Sequence, residues 1–192
     1  MPKLNVTKFK IPKSSDYERT KLIQELKQLE SKIVFDEFMD DYGDKSVNVL
    51  EIAAGKQVIL AKRIAEWQKN HGGSITAIDE TLDLRNKSNH LNCIKGHFDA
   101  NHDVSPYDVL LGNGPCDAIL DMIYSATSNN KELFLRGCVC PGLDLGMRAE
   151  EWYDIVERAI LYNLPPNFIY EKVTNEEMRN CPFFKTRSRK IY

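Results

Sequence analysis

One stretch, residues 47–79, constrains the fold of this chain more than any other. An apolar run, Val47–Ile52, leads into three small residues and then into a segment whose apolar residues recur at helical spacing. That segment stops at two glycines, and a second apolar run follows and closes on Asp79. The order predicts a strand, a tight turn, a helix and a parallel strand, which is the half-unit that binds nucleotides in α/β proteins.

A long helix is predicted ahead of this unit. Ser15 and Glu18 have the spacing of a capping box, and an apolar series at helical spacing follows them. We expect this helix to be amphipathic, to end before Gly43 and to pack its apolar stripe in the core. The stripe consists of Leu22, Leu26, Leu29 and Ile33.

Five further strands are predicted after the central unit, separated by polar loops or helical patterns. Residues 81–89 leave room only for a short helix, and the PGLDLG segment reads as a loop before a helix that Pro165 and Pro166 end. No helical pattern separates the last two strands, so we expect them to be antiparallel. The five are residues 91–98, 107–111, 132–140, 168–173 and 183–191.

The fold class that follows is α/β. We predict a doubly wound, mainly parallel seven-stranded sheet with a C-terminal antiparallel strand pair. In such sheets, ligands bind outside the carboxyl ends of the strands, where the strand order reverses. One crevice should therefore gather the turn after the first strand, Asp79, the loop after Phe98 and residues 112–117.

The composition narrows the class of protein. The chain has 192 residues, of which 42% are hydrophobic and 28% charged, as expected for one globular domain. No run approaches a membrane span, and the first residues lack the apolar core of a signal peptide, so we expect no membrane contact. Five cysteines, an odd number, predict reduced thiols and a cytoplasmic location.

The charges are distributed unevenly along the chain. Residues 1–13 carry four lysines and residues 179–192 carry five basic residues, with no acid in either segment. The part of the chain between these two segments therefore holds 17 of the 26 basic residues and all 28 acidic residues. Basic ends can attract an anionic partner, such as a nucleic acid that they contact weakly. The alternative interpretation is a solvated tail and a charge-protected edge strand.

The order of elements and two motifs resemble the class I S-adenosylmethionine-dependent methyltransferases. The LEIAAGK segment resembles the first motif of that family: Glu51 fits its acid and Gly55 its middle glycine, whereas Ala53 and Gln57 stand where glycine is commoner. Asp79 matches the acid that binds the ribose hydroxyls in the family. The YDVLLGN segment resembles the fourth motif, at the mouth of the methyl-donor site.

This resemblance implies a single methyltransferase-like domain over residues 1–192. It comprises a helical extension over 1–45 and a Rossmann-like core over 46–192, with S-adenosyl-L-methionine as the cofactor. His97 and Asp99 are alternatives for the acid that lies near the adenine in the family. The cofactor-binding residues implied are Glu51, Ala53, Ala54, Gly55, Asp79, Glu80, His97, Phe98, Asp99 and Gly112.

The NGPC segment, residues 113–116, is similar to the NPPY motif of enzymes that methylate amino groups. It lacks the first proline and the aromatic residue. Asn113 is the catalytic residue that this similarity implies, because its side-chain oxygen would accept a hydrogen bond from an acceptor amine or hydroxyl. The alternative is that Asn113 caps the next helix, with Pro115 in the first turn.

Structural roles compete with ligand roles at several positions. Glu51 can contact the donor's ammonium group or pin the following loop, and Asp79 can bind a ribose or cap a helix. The loop acids and histidines after residue 96 match no strong metal-ligand spacing. Cys138 and Cys140 lie two apart on a predicted strand, which favours packing over a zinc half-site, so we expect no metal.

Three functions are compatible with these features. The first is S-adenosylmethionine-dependent methyl transfer to a small-molecule or nucleic-acid acceptor. The second is an NAD(P)-dependent oxidoreductase, although the full GxGxxG fingerprint is absent. The third is a catalytically inactive relative that serves as a binding or scaffold protein, which the departures from both motifs favour.

Overall fold

The computed structural model describes residues 16–174 and 181–189. Seven strands form one sheet, and helices cover both faces. The helices are α1 (Asp16–Tyr42), α2 (Ile59–His71), α3 (Ile119–Ser128), α4 (Cys140–Asp144) and α5 (Ala149–Asn163). The strands are β1 (Val47–Ile52), β2 (Gly73–Asp79), β3 (Leu91–Lys95), β4 (Val109–Asn113), β5 (Glu132–Arg136), β6 (Phe168–Val173) and β7 (Phe183–Ser188).

The strand order is β3-β2-β1-β4-β5-β7-β6, with β1 parallel to both β2 and β4. Strand β7 runs antiparallel to β5 and to β6. The predicted doubly wound sheet with a C-terminal antiparallel pair is therefore confirmed. The order reverses between β1 and β4, so the crevice for a ligand opens at the carboxyl ends of these two strands.

The alternation of side chains along each strand divides the core into two layers. Val47 and Val49 point to the face that α1 and α2 cover, whereas Leu50 and Ile52 point to the face of α3 and α5. Glu51 continues the first series, so its carboxyl group is directed toward α2. Within the described residues, no helix is apolar and long enough to cross a membrane.

Helix α1 ends one residue before Gly43, as predicted, but its apolar stripe does not pack in the core. Leu22, Leu26 and Leu29 are 56%, 51% and 54% exposed, and only Ile33 is buried. A helix of 27 residues is about 40 Å long, roughly twice the length of the strands beneath it. Its first half therefore extends beyond the sheet. The predicted capping residue Ser15 lies outside the described residues.

The second half of α1 is held firmly against the sheet. Phe38 and Tyr42 are buried and stack with ring centroids 4.6 Å apart. Lys185, on β7 and 3% exposed, pairs with Glu37 and lies 3.1 Å from Asp41. This half of the helix thus joins the sheet through aromatic packing and a buried ionic cluster.

Several strand boundaries differ from the prediction. Strand β3 ends at Lys95 rather than at residue 98, and β4 begins at Val109 rather than at residue 107. Strand β5 ends at Arg136, because both neighbouring strands stop pairing there. The prediction that Cys138 and Cys140 lie on this strand is therefore wrong: Cys138 lies in the loop after β5, and Cys140 is the first residue of α4.

Candidate functional site

The turn after β1 and the end of β2 meet at the carboxyl edge of the sheet. The Gly55 backbone N–H donates to Asp79 Oδ2 at 2.9 Å, and the Ala54 N–H donates to the Ile78 carbonyl at 3.2 Å. The turn after β1 and Asp79, which the sequence predicts to line one crevice, are thus in contact.

This turn is built from left-handed backbone conformations. Ala53, Gly55 and Val58 have φ values of 58°, 70° and 46°. They allow the chain to reverse from β1 into α2 within six residues. Only glycine adopts this conformation without steric cost, so Ala53 and Val58 each store about 1–2 kcal/mol of backbone strain.

Two cavities flank the junction, and Ala53 lines both. The larger, about 450 Å³, lies between the first half of α1 and the β1–α2 turn, and reaches Glu51 and Asn113. The smaller, about 270 Å³, lies at the ends of β2, β3 and β4. A separate groove of about 1200 Å³ between α1 and α2 contacts none of the predicted site residues, so size alone does not mark the site.

Glu51 is an incompletely paired carboxyl group in the larger cavity. Burial raises its pKa to about 8; a hydrogen bond from the backbone of Ala61, in the first turn of α2, opposes this shift, and the charge of Asp79 adds to it. Its Oε2 atom is buried and has no hydrogen-bond partner. A buried polar atom without a partner is costly, so this oxygen is suited to receive a donor from a ligand.

Asp79 is partly committed to the protein itself. Its Oδ1 accepts hydrogen bonds from the Thr81 backbone N–H and hydroxyl at 2.7 and 2.6 Å, while Oδ2 accepts only the bond from Gly55. A carboxylate oxygen has two acceptor positions. One position on Oδ2 therefore remains for a ligand hydroxyl.

The other predicted cofactor residues separate into two groups. Glu80, His97 and Phe98 line the smaller cavity, where Glu80 pairs with His97 Nδ1 at 3.2 Å. Asp99 is exposed, lines neither cavity and accepts a hydrogen bond from the Asn101 backbone at 2.7 Å. Gly112 is buried in β4, and also lines neither cavity.

Gly112 is required by packing. A Cβ atom at this position would lie 2.8 Å from both Met122 Sδ and Pro115 Cγ. Its small size lets α3 and the following turn approach the sheet, which is a structural role beneath the site.

Asn113 does not cap the following helical turn, which has Pro115 at its N-cap and no side-chain capping bond. Its Oδ1 instead accepts a hydrogen bond from Arg136 Nη1 at 3.0 Å, and Arg136 Nη2 lies 3.5 Å from Glu30 on α1. This contact orients the Asn113 amide and ties the helix over the larger cavity to the sheet. Neither Arg136 nor Glu30 was predicted as a site residue. For Arg136 the available signal was its position as a charged residue at the end of an apolar strand.

No family model matches the sequence, and no curated protein matches it. Solved structures do match. A methyltransferase of Podospora anserina with bound S-adenosylhomocysteine (SAH) has a TM-score of 0.53 at 11% identity, over 84% of this chain and 78% of that one. The plantazolicin methyltransferase BpumL in complex with SAH has a TM-score of 0.53 at 15% identity, over 90% of each chain.

A third match is the 1,6-didemethyltoxoflavin-N1-methyltransferase of Burkholderia thailandensis. It has a TM-score of 0.52 at 11% identity and covers 93% of this chain and 92% of its own. At such low identity the likeness concerns the arrangement of helices and strands. Together with the observed strand order, it establishes that this chain has the fold of the class I S-adenosylmethionine-dependent methyltransferases.

Proposed function

We propose that this protein is a methyltransferase that uses S-adenosyl-L-methionine and acts on a small-molecule acceptor. The observation that carries the proposal is the junction of Gly55 with Asp79, flanked by one cavity on each side. This arrangement suits a ligand that crosses the switch point of the sheet with a nucleoside at one end and a charged amino acid at the other.

The smaller cavity is suited to the adenosine part of the donor. Asp79 Oδ2 retains one acceptor position for a ribose hydroxyl, and the buried ring of Phe98 offers an apolar surface to a base. His97 and Glu80 stand at the rim. Asp99, which lines neither cavity, is the weaker of the two candidates beside the adenine.

The larger cavity is suited to the methionine part and to the acceptor. The free Oε2 atom of Glu51 would accept a hydrogen bond from the donor's ammonium group, and the small residues of the turn let the backbone lie close to the ligand. The donor's sulfonium supplies the reactive methyl group. The protein's own contribution is alignment of the acceptor and exclusion of water.

Asn113 is the residue we expect to orient the acceptor. The Asn113 Oδ1 atom already accepts a hydrogen bond from Arg136, so the amide N–H₂ group is free to donate to an oxygen of the methyl acceptor. Oδ1 also keeps a second lone pair, which can accept a hydrogen bond from an amine or hydroxyl of that substrate. The first half of α1 covers this cavity, which limits the size of the acceptor. The BpumL and toxoflavin enzymes are named for plantazolicin and 1,6-didemethyltoxoflavin, which agrees with a small-molecule acceptor.

Calorimetric titration with SAH and, separately, with NADH tests this proposal. Binding of SAH alone supports methyl transfer. Binding of NADH alone favours the oxidoreductase, and binding of neither favours a scaffold. A nucleic-acid acceptor would be indicated by affinity for an oligonucleotide that falls steeply with salt concentration.

A further inference from the structure

Three cysteine side chains converge beside the candidate site. Cys116 follows β4, whereas Cys138 and Cys140 follow β5, and the three Sγ atoms all lie within 4.8 Å of one another. The Cys116 and Cys138 sulfurs are 3.2 Å apart. All three are free thiols. The cluster thus joins the segments that follow β4 and β5, which the pairing of these two strands brings together.

Packing of small apolar side chains does not account for this convergence. Cys116 and Cys138 are partly buried, but Cys140 is exposed, and its thiol nevertheless lies against the other two. The surrounding backbone is also fixed in place. The Trp152 indole N–H donates to the Cys138 carbonyl at 2.7 Å, and a Cβ atom at Gly142 would lie 2.5 Å from Trp152 Cβ.

We propose that Cys116, Cys138 and Cys140 bind one Zn²⁺ ion, with a water molecule as the fourth ligand. Zinc–thiolate bonds of about 2.3 Å in a tetrahedron place the sulfurs roughly 3.8 Å apart. One sulfur–sulfur distance in the cluster is 3.2 Å and none exceeds 4.8 Å, so small side-chain rotations suffice to bind the ion. The inference does not depend on methyl transfer, because it rests only on these three side chains.

A zinc ion bound by three thiolates would leave a charge that a neighbouring cationic residue can balance. Zinc binding displaces the thiol protons and leaves one net negative charge on three thiolates and the ion. Arg136 lies near this charge, because its Nη1 atom and the Cys138 side chain both lie next to Gly114. A Cβ atom built on that glycine would be 3.5 Å from Arg136 Nη1 and 3.8 Å from Cys138 Cβ.

Cobalt titration of the reduced full chain tests the proposal, because Co²⁺ occupies tetrahedral thiolate sites and reports them by colour. We expect one Co²⁺ per chain, with thiolate-to-cobalt charge-transfer bands and tetrahedral d–d bands, and displacement by one equivalent of Zn²⁺. Cys140→Ala should weaken cobalt binding by at least about tenfold. Because Cys140 is exposed, this variant should fold normally, which circular dichroism verifies.

Cys181→Ala is the matched control, since Cys181 is also a free cysteine but is not part of the cluster. It should bind cobalt like the unmodified protein. The proposal is overturned if the reduced protein shows no charge-transfer bands, if Cys140→Ala binds cobalt as tightly as the unmodified protein, or if Cys181→Ala loses binding equally. The proposal is also overturned if the reduced protein binds no cobalt and the oxidised protein forms a Cys116–Cys138 disulfide.

Discussion

Asp79 accepts the hydrogen bond of the Gly55 backbone N–H at 2.9 Å, which joins the end of β2 to the turn after β1. The two residues are 24 positions apart in the chain. One carboxylate therefore shapes the turn and faces the smaller cavity, so its removal should affect both ligand binding and stability.

Replacing Asp79 should weaken SAH binding. Asp79→Ala removes the acceptor for a ribose hydroxyl and also releases the Gly55 N–H, so we expect a loss of about 1–3 kcal/mol in binding free energy. Isothermal calorimetry measures it. The matched control is Asp99→Ala, because Asp99 caps its own turn and lines neither cavity; its SAH affinity should not change. Equal affinities for the two variants would contradict the assignment of Asp79.

The affinity for SAH should rise with pH between about 6 and 8. In the free protein Glu51 keeps its proton until pH reaches about 8, and the donor's ammonium group binds best to the ionised carboxylate. Binding should therefore release a proton, which calorimetry in buffers of different ionisation enthalpy detects. Glu51→Gln should remove both the proton release and this pH dependence. Proton release that persists in Glu51→Gln would exclude Glu51 as its source.

The same carboxyl group should lower stability as pH rises. Its pKa is about 8 in the folded protein and about 4.5 in the unfolded chain. The folded state therefore binds more protons between these values, and the free energy of unfolding falls as pH rises from 4.5 to 8. Urea unfolding at pH 5 and pH 9 should show Glu51→Gln gaining stability relative to the unmodified protein. A constant difference across this range would contradict the raised pKa.

Glycine at position 53 should not destabilise the protein. Ala53 has a φ of 58°, so Ala53→Gly relieves strain that outweighs the cost of the greater flexibility of glycine in the unfolded chain. We expect the free energy of unfolding to rise by up to about 1 kcal/mol. The control is the adjacent Ala54, which has no positive φ. Ala54→Gly should lower the free energy of unfolding by about 0.5–1 kcal/mol.

The ionic cluster between α1 and β7 should contribute strongly to stability. Lys185→Met leaves Glu37 and the 5%-exposed Asp41 with one fewer cationic partner, so we expect a loss of about 3–5 kcal/mol in the free energy of unfolding. The control is Lys69→Met, which breaks a surface pair with Glu66 and should cost at most about 1 kcal/mol. Equal losses in urea unfolding would show that burial of the cluster is not important.

Strands with a continuous apolar run were predicted well, whereas boundaries that depend on a neighbouring strand were not. The limits of β1 are those predicted, because this strand is buried on both faces and every position must be apolar or paired. The end of β5 was placed four residues too late, at residue 140. Residues 137–140 remain mostly small and apolar, but β4 and β7 offer them no further partners.

The local pattern likewise could not show which face of α1 is buried. Helical spacing marked Leu22, Leu26 and Leu29 as a stripe, but a helix buries its apolar stripe only where the sheet reaches it. The residues that line the larger cavity from α1, among them Ile23, Lys27 and Glu30, follow no apolar periodicity. Their position depends on where the helix crosses the turn after β1.

The sequence by itself determined the alternation of strands and helices, the turn after β1 and the acid that ends β2, because each depends on the local chemistry of neighbouring residues. Only the tertiary structure decided that Asp79 holds Gly55, that Arg136 orients Asn113 and that three cysteines from the segments after β4 and β5 meet. These contacts join residues about twenty or more positions apart. Their geometry is set by strand register and helix packing, and no local pattern in the chain encodes it.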